Sequence, residues 1–237
     1  MQTRELNDGS SIPVFAFGTA TAHGRTECSE AILLALQKRF RHIDTAYSYE
    51  NEESVGLALT KWGGQRKDVF ICSKWGYFKP DHDYDPELEL QGSLRRIGVD
   101  YLDLCELYPP QGMTNVEAWK KMENFHRRGL VKSIGLSSFN ADHIEEIAKI
   151  WAIKPSVNQV EYHPYSFHEP RMVRMAETCK KYDIAISPFT SLAPLTRFPG
   201  GPVDEVVERI SDSRGVTAAQ VLLAWARQVS EGGPVVT

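Results

Sequence analysis

The sequence predicts an α/β protein, specifically a (β/α)8 TIM barrel, and three observations carry that prediction. Strand-like and helix-like segments alternate almost from end to end of the 237 residues, the pattern of a parallel sheet with crossover helices. The strand candidates number eight, which favours closure into a barrel over an open doubly wound sheet. No G-x-G-x-x-G follows the first strand, which argues against a Rossmann domain.

The elements follow in order. Residues 2–13 hold a turn signal, Asn7-Asp8-Gly9, between short flanks; this reads as a hairpin capping one barrel end. Strands are expected at Val14–Phe17, His42–Thr45, Val69–Lys74, Tyr101–Tyr108, Val131–Ser137, Ser156–Tyr162, Ile184–Phe189 and Pro234–Thr237. Between them, helices are expected at Glu27–Phe40, Asn51–Trp62, Pro86–Ile97, Val116–Arg128, Asp142–Trp151 and Pro170–Tyr182. Val203–Ile210 and Ala218–Arg227 complete the set. Asp85 before Pro86 has the form of an N-cap followed by proline at the first helical position. Asn140 and Thr217 can cap the helices that begin at Ala141 and Ala218.

Hydrophobic residues make up 42% of the chain, enough for a substantial core, and a single domain over residues 1–237 is expected at this length. No linker or low-complexity segment interrupts it. The net charge is −4 and the pI about 6.0, so no nucleic-acid partner is expected. The basic clusters Lys38-Arg39 and His126-Arg127-Arg128 sit at expected helix ends, where they complement the helix dipole. No run of about 18 apolar residues occurs, so no membrane span is expected. The opening Met1-Gln-Thr-Arg-Glu lacks the apolar stretch of a signal peptide. Cys28, Cys72, Cys105 and Cys179 show neither metal-ligand nor redox spacing; free thiols, no metal and a cytoplasmic location are the expectation.

Polar residues gather at the carboxyl ends of the expected strands. The second ends at Asp44, with Tyr47 and Tyr49 in the turn that follows. The third brings Lys74, the fourth Tyr108, the fifth Ser137 and Ser138. The sixth carries Asn158, Gln159 and Glu161, and the seventh Ser187. All carboxyl ends of a parallel barrel lie on one face, so these residues together predict a site there. Each has a plainer reading. Asp44 can cap the next helix, Lys74 can lay its stem along Trp75, and Gln159 can satisfy a backbone group inside the barrel. His42 and His163 read as hydrogen-bonded structural histidines rather than ligands. Glu106 faces either the helical layer or a basic partner.

The segments "RHIDTAYSYENEESVG", "SKW", "VDYLDL", "GLVKSIGLSSFN", "VNQVEYHPY" and "TAAQVLLAWARQ" resemble those of the aldo-keto reductases, in order and over nearly the whole chain. The resemblance implies a barrel that reduces carbonyls with NADPH and without metal. The family's catalytic set is Asp, Tyr, Lys and His, with the tyrosine five residues after the aspartate. That spacing selects Tyr49 over Tyr47, with Asp44 and Lys74 as its partners. The chemistry is coherent: a phenol of intrinsic pKa about 10 becomes a better proton donor beside an ammonium, and Asp44 would hold Lys74 in place. Thr19, Asp44, Ser137, Ser138, Gln159 and Ser187 are the cofactor-binding residues the resemblance implies.

The chain also departs from the family pattern. Tyr108 stands where the family has histidine; it can donate a hydrogen bond but cannot act as a near-neutral acid–base group. Ser138 replaces an asparagine that shares the carboxamide site. Ile186 stands where a tyrosine stacks on the nicotinamide. The family's last helix, its carboxyl-terminal loop and its grip on the adenosine 2′-phosphate lie beyond "GPVVT". Without those contacts NADPH binding would weaken roughly 10²- to 10⁴-fold. The uncovered barrel edge would expose Ile32, Leu33 and Leu223 and favour self-association. Three functions follow. The first is an NADPH-dependent reductase of a small carbonyl compound. The second is a non-redox cyclase, isomerase or dehydratase using Tyr49, Lys74 and Tyr108. The third is a non-catalytic subunit, against which the retained Asp44, Tyr49 and Lys74 argue.

Overall fold

The computed structural model describes residues 2–76, 85–110 and 112–237. Strands β1 (Thr3–Glu5) and β2 (Ser11–Pro13) form the antiparallel hairpin. Gly9 turns the chain at φ 81°, a conformation open to a residue without Cβ. β3 (Phe15–Gly18), α1 (Ser29–Gln37), β4 (His42–Asp44) and α2 (Glu52–Trp62) follow, with a 3-10 turn at Tyr47–Tyr49. Next come β5 (Phe70–Trp75), α3 (Pro86–Ile97), β6 (Leu102–Leu107), α4 (Asn115–Arg127), β7 (Val131–Ser137) and α5 (Ala141–Ala148). β8 (Val157–Glu161), α6 (Pro170–Tyr182), β9 (Ala185–Phe189), α7 (Ala193–Thr196), α8 (Pro202–Arg214), α9 (Ala218–Val229) and β10 (Val235–Val236) complete the order.

Strands β3 to β10 make one eight-stranded sheet in the order β10-β3-β4-β5-β6-β7-β8-β9. Every pair along it is parallel. Across the remaining seam, Ser187 Oγ donates to Pro234 O at 2.8 Å, so the barrel is nearly closed. Asp85 accepts from Glu87 N, Asn140 from His143 N and Thr217 from Gln220 N, each satisfying an otherwise orphaned helical donor. The expected helix at Val203–Ile210 is longer, running from Pro202 to Arg214 and ending at Gly215 with φ 62°. The short α7, in the loop after β9, carries no periodic signal long enough to be seen in sequence.

Strand alternation sorts the core into two layers. Phe70, Cys72, Leu104, Val157 and Ala185 point into the barrel and meet Leu6 and Ile12 of the hairpin. The hairpin also ties down its end of the barrel through Asn7, whose Nδ2 donates to Pro155 O and Asp183 O. Ile71, Cys105, Ile134, Val160 and Ile186 face outward to the helices. Of the aliphatic residues expected to be exposed, Ile32 is fully buried, and Leu33 and Leu223 are partly buried. The reason is helical phase. Ile32, Ala35 and Leu36 form the inner face of α1 and leave Leu34, 55% exposed, on the outside.

Candidate active site

Inward alternation also delivers the polar residues. Register places Asp44 beside Cys72, Lys74 beside Glu106, Glu106 beside Gly135, Ser137 beside Gln159, and Gln159 beside Ser187. Apart from Cys72, which belongs to the apolar barrel core, these residues lie one layer above it, toward the carboxyl ends. A cleft of about 790 Å³ opens over them. Asp44, Tyr47, Tyr49, Lys74, Tyr108, Ser137, Ser138 and Gln159 all line it.

The centre of the floor is an ion pair. Lys74 Nζ donates to Asp44 Oδ1 and Oδ2 at 2.7 and 2.8 Å and to Thr45 O at 3.2 Å. The two side chains are 7% and 2% exposed. Tyr49 sits above, its ring centroid 5.4 Å from the ammonium. The 3-10 turn holds it there: Tyr49 O accepts from Arg25 N, and Glu50 closes the turn at φ 55°. Buried Asn51 braces the same turn, donating to Thr19 O and His23 O. Tyr47 lies at the rim with the Arg96 guanidinium 5.0 Å over its ring.

Glu106 has an unambiguous place. It points inward, is 1% exposed, and lies 3.7 Å from Lys74 Nζ. Gln159 Nε2 bridges the two acids, donating to Asp44 at 2.8 Å and to Glu106 at 3.2 Å. Glu106 Oε2 is buried without a hydrogen-bond partner among the described residues. Sequence flagged this glutamate in an apolar strand but could not say which neighbour it meets. The period-2 alternation that turns Leu104 inward turns Glu106 inward too.

The charges shift one another. Burial opposes the Lys74 charge, but Asp44, with Tyr49, Glu106 and Cys72, outweighs it and holds the ammonium well above the ordinary lysine range. Burial pushes Glu106 up to about 8, with Lys74 pulling against it and Asp44 adding to it. Tyr49 departs from the expectation of a lowered value. Loss of solvent, with Lys74 pulling against it and Asp44 and Glu106 adding to it, raises it to about 12. One ammonium does not offset burial plus two neighbouring acids.

Two of the expected cofactor residues, Thr19 and Ser187, have their hydroxyls engaged within the protein. Thr19 is fully buried, its hydroxyl donating to Thr45 Oγ1 and Asn51 Oδ1, and it does not line the cleft. Ser187 faces inward beside Gln159 but spends its hydroxyl on Pro234 O. Ile186 belongs to the outward, helix-facing layer. Asn158 also faces outward, its amide exchanging hydrogen bonds with Phe139 N and O. Ser138 lines the cleft with φ 60°, a region asparagine enters more readily than serine. His42 and His163 are hydrogen-bonded structural residues, through Pro13 O and through Glu161 and Tyr165 N respectively. Thr190, which sequence did not single out, lines the cleft with a buried hydroxyl that has no partner among the described residues.

A parallel barrel with a polar site at its carboxyl face defines the structural class, and comparison with known proteins supplies the family. The family model described as "Aldo/keto reductase family" matches residues 15–237, and the chain belongs to that family. It is 32% identical over 228 residues to the glyoxal reductase of Bacillus subtilis, covering 95% of this chain and 79% of that protein. It is 37% identical over 230 residues to the NAD/NADP-dependent indole-3-acetaldehyde reductase of Schizosaccharomyces pombe, covering 92% and 79%. Among solved structures, the Brucella melitensis aldo/keto reductase superposes with a TM-score of 0.84 at 31% identity, over 99% of this chain and 87% of that one. The Bombyx mori aldo-keto reductase in complex with NADP gives 0.86 at 28%, over 100% and 82%. Among the described residues, no helix is long and apolar enough to cross a membrane.

Proposed function

We propose that the protein reduces the carbonyl group of a small molecule with NADPH, with Tyr49 as the proton donor. The observation that carries this reading is the buried Asp44–Lys74 pair beneath Tyr49 at the floor of the cleft. The names of the relatives, which describe reduction of glyoxal and of indole-3-acetaldehyde, support a small aldehyde as substrate class.

The donor set suits a nicotinamide. Ser137, Ser138 and Gln159 offer hydroxyl and amide groups to a carboxamide, and the Thr190 hydroxyl, which lines the same cleft, has no partner among the described residues. The cofactor, when bound, supplies hydride to the carbonyl carbon. Tyr49 gives its phenolic proton to the carbonyl oxygen as negative charge develops there. Lys74 stabilises the resulting phenolate through its fixed charge, and Asp44 keeps that ammonium in position. Tyr108, 39% exposed at the cleft, takes the carbonyl-facing place that the family gives to histidine and orients the substrate by a hydrogen bond.

Titrating the chain with NADPH and NADH, read by quenching of its five tryptophans, tests the cofactor. NADPH-dependent reduction of methylglyoxal, lost in a folded Tyr49→Phe variant, tests the chemistry. Wild-type rates in that variant would remove Tyr49 from the mechanism. Turnover of a substrate without any nicotinamide would replace this reading with a proton-transfer reaction run by Tyr49, Lys74 and Tyr108.

A further inference from the structure

Two buried carboxyl groups share one ammonium beneath Tyr49. Asp44 holds Lys74 in two short hydrogen bonds. Glu106 stands 3.7 Å away on the other side, outside hydrogen-bond range, with one oxygen unpartnered among the described residues. Its other oxygen accepts from the Gln159 amide that also serves Asp44. Gly135 is its register neighbour on β7, so that side offers no countercharge. With both acids ionised, the trio would carry net negative charge where little solvent reaches it, which is disfavoured. A proton on Glu106 leaves the trio neutral.

We infer that Glu106 is a positioning residue for proton donation: held protonated, it leaves Lys74 aligned with Asp44 and its field directed at Tyr49. Glu106 does not line the cleft, so it acts through Lys74 and never touches substrate. When it ionises, a second carboxylate competes for the ammonium and adds negative charge below the phenol. Both effects disfavour the phenolate that forms as Tyr49 gives up its proton. This rests on the proposed role of Tyr49.

The titratable and charged groups that act on Glu106 are Asp44 on β4, Cys72 and Lys74 on β5, its outward-facing chain neighbour Cys105, and Tyr49 above; His42 lies two residues before Asp44 on β4. Burial, with Asp44 and Pro13 O pulling the other way, depresses His42 to about 4. Cys72, Cys105, Lys74 and Tyr49 are all raised. Burial pushes Glu106 up to about 8, and its ionisation is linked to the Lys74 and Asp44 charges it adjoins. The sign is that of an acid whose protonated form is required. Reduction proceeds below that value and falls above it, roughly tenfold per pH unit once the ionised form dominates.

The experiment has two readouts on the full chain. The first is a carbon-13 NMR titration of glutamate carboxyls, with Glu106 assigned by its loss in Glu106→Gln. The second is the single-turnover rate of methylglyoxal reduction by NADPH across pH 6–10. We expect the Glu106 carboxyl to titrate near 8 and the wild-type rate to fall with the same midpoint. In Glu106→Gln the falling limb should move up by at least about one unit, while Glu106→Asp should restore a limb. The limb should appear in kcat rather than in KM, because Glu106 does not reach the cleft. A carboxyl that titrates with the ordinary glutamates, or a limb unchanged in Glu106→Gln, would overturn the inference. If the chain reduces nothing while Glu106 still titrates near 8, the reductase reading falls and the shared-proton reading of the acid pair stands.

Discussion

Replacing Lys74 with methionine keeps most of the side-chain volume and removes the one ammonium between Asp44 and Glu106. Nζ lies 2.7 and 2.8 Å from the two Asp44 oxygens. At an effective dielectric constant of 20, that separation corresponds to an attraction of about 6 kcal/mol, most of it offset by taking both charges out of water. Breaking the pair from one side leaves Asp44 buried with the Gln159 amide as its remaining side-chain donor among the described residues, a loss of ~3–5 kcal/mol. Asp44→Asn should be milder, because Glu106 at 3.7 Å can take over as partner to Lys74. The double variant, Asp44→Asn with Lys74→Met, carries no unpaired charge and should lose less stability than Lys74→Met alone. Urea unfolding followed by tryptophan fluorescence at pH 7 measures all four corners of the cycle. A cost below about 1 kcal/mol for Lys74→Met, or simple addition of the two single effects, would refute the account of the pair as buried and mutually dependent.

Tyr108→His should raise the rate of NADPH-linked aldehyde reduction, since imidazole can both donate a hydrogen bond and titrate near neutrality; a variant that binds NADPH yet reduces methylglyoxal no faster would show that Tyr108 does not limit the reaction. His42 should make the fold acid-sensitive. It is buried, its Nδ1 lies 3.2 Å from Pro13 O, and its Nε2 has no partner among the described residues. Its folded value of about 4 lies below the unfolded one, so the unfolded chain binds the extra proton between about pH 6.5 and 4. Stability is full above 6.5 and falls by roughly 3 kcal/mol as pH drops through that window. Unfolding midpoints for His42→Gln should be flatter across it than those of wild type, and equal slopes would exclude His42 as the cause. Ser138→Asn should tighten NADPH binding, because asparagine tolerates the positive φ of 60° and offers the longer amide; unchanged tryptophan quenching curves would count against Ser138 as a cofactor contact.

The alternation of segments determined the fold class. The apolar run Val131–Ser137, the Asp85-capped helix Pro86–Ile97 and the helix Pro170–Tyr182, which opens on a proline, keep the same bounds in the structure, because these start signals and apolar phase act locally. The "HIDTAYSYE" and "SKW" segments brought Asp44, Tyr49 and Lys74 forward, and the barrel rule placed all three on one face. Side-chain direction and charge were decided by tertiary structure. Thr19 and Ser187 stood out for their hydroxyls, and the fold hydrogen-bonds those hydroxyls to residues distant in sequence, Asn51 and Pro234. Ile32 read as exposed until the phase of α1 turned it inward. The acidity of Tyr49 depended on how many charges the closed barrel gathers around it. Sequence offered one lysine; the fold added burial and Glu106, which lies 32 residues beyond Lys74 in the chain yet is its register neighbour in the sheet. A parallel sheet sets that adjacency through long crossovers, so no local pattern in the sequence encodes it.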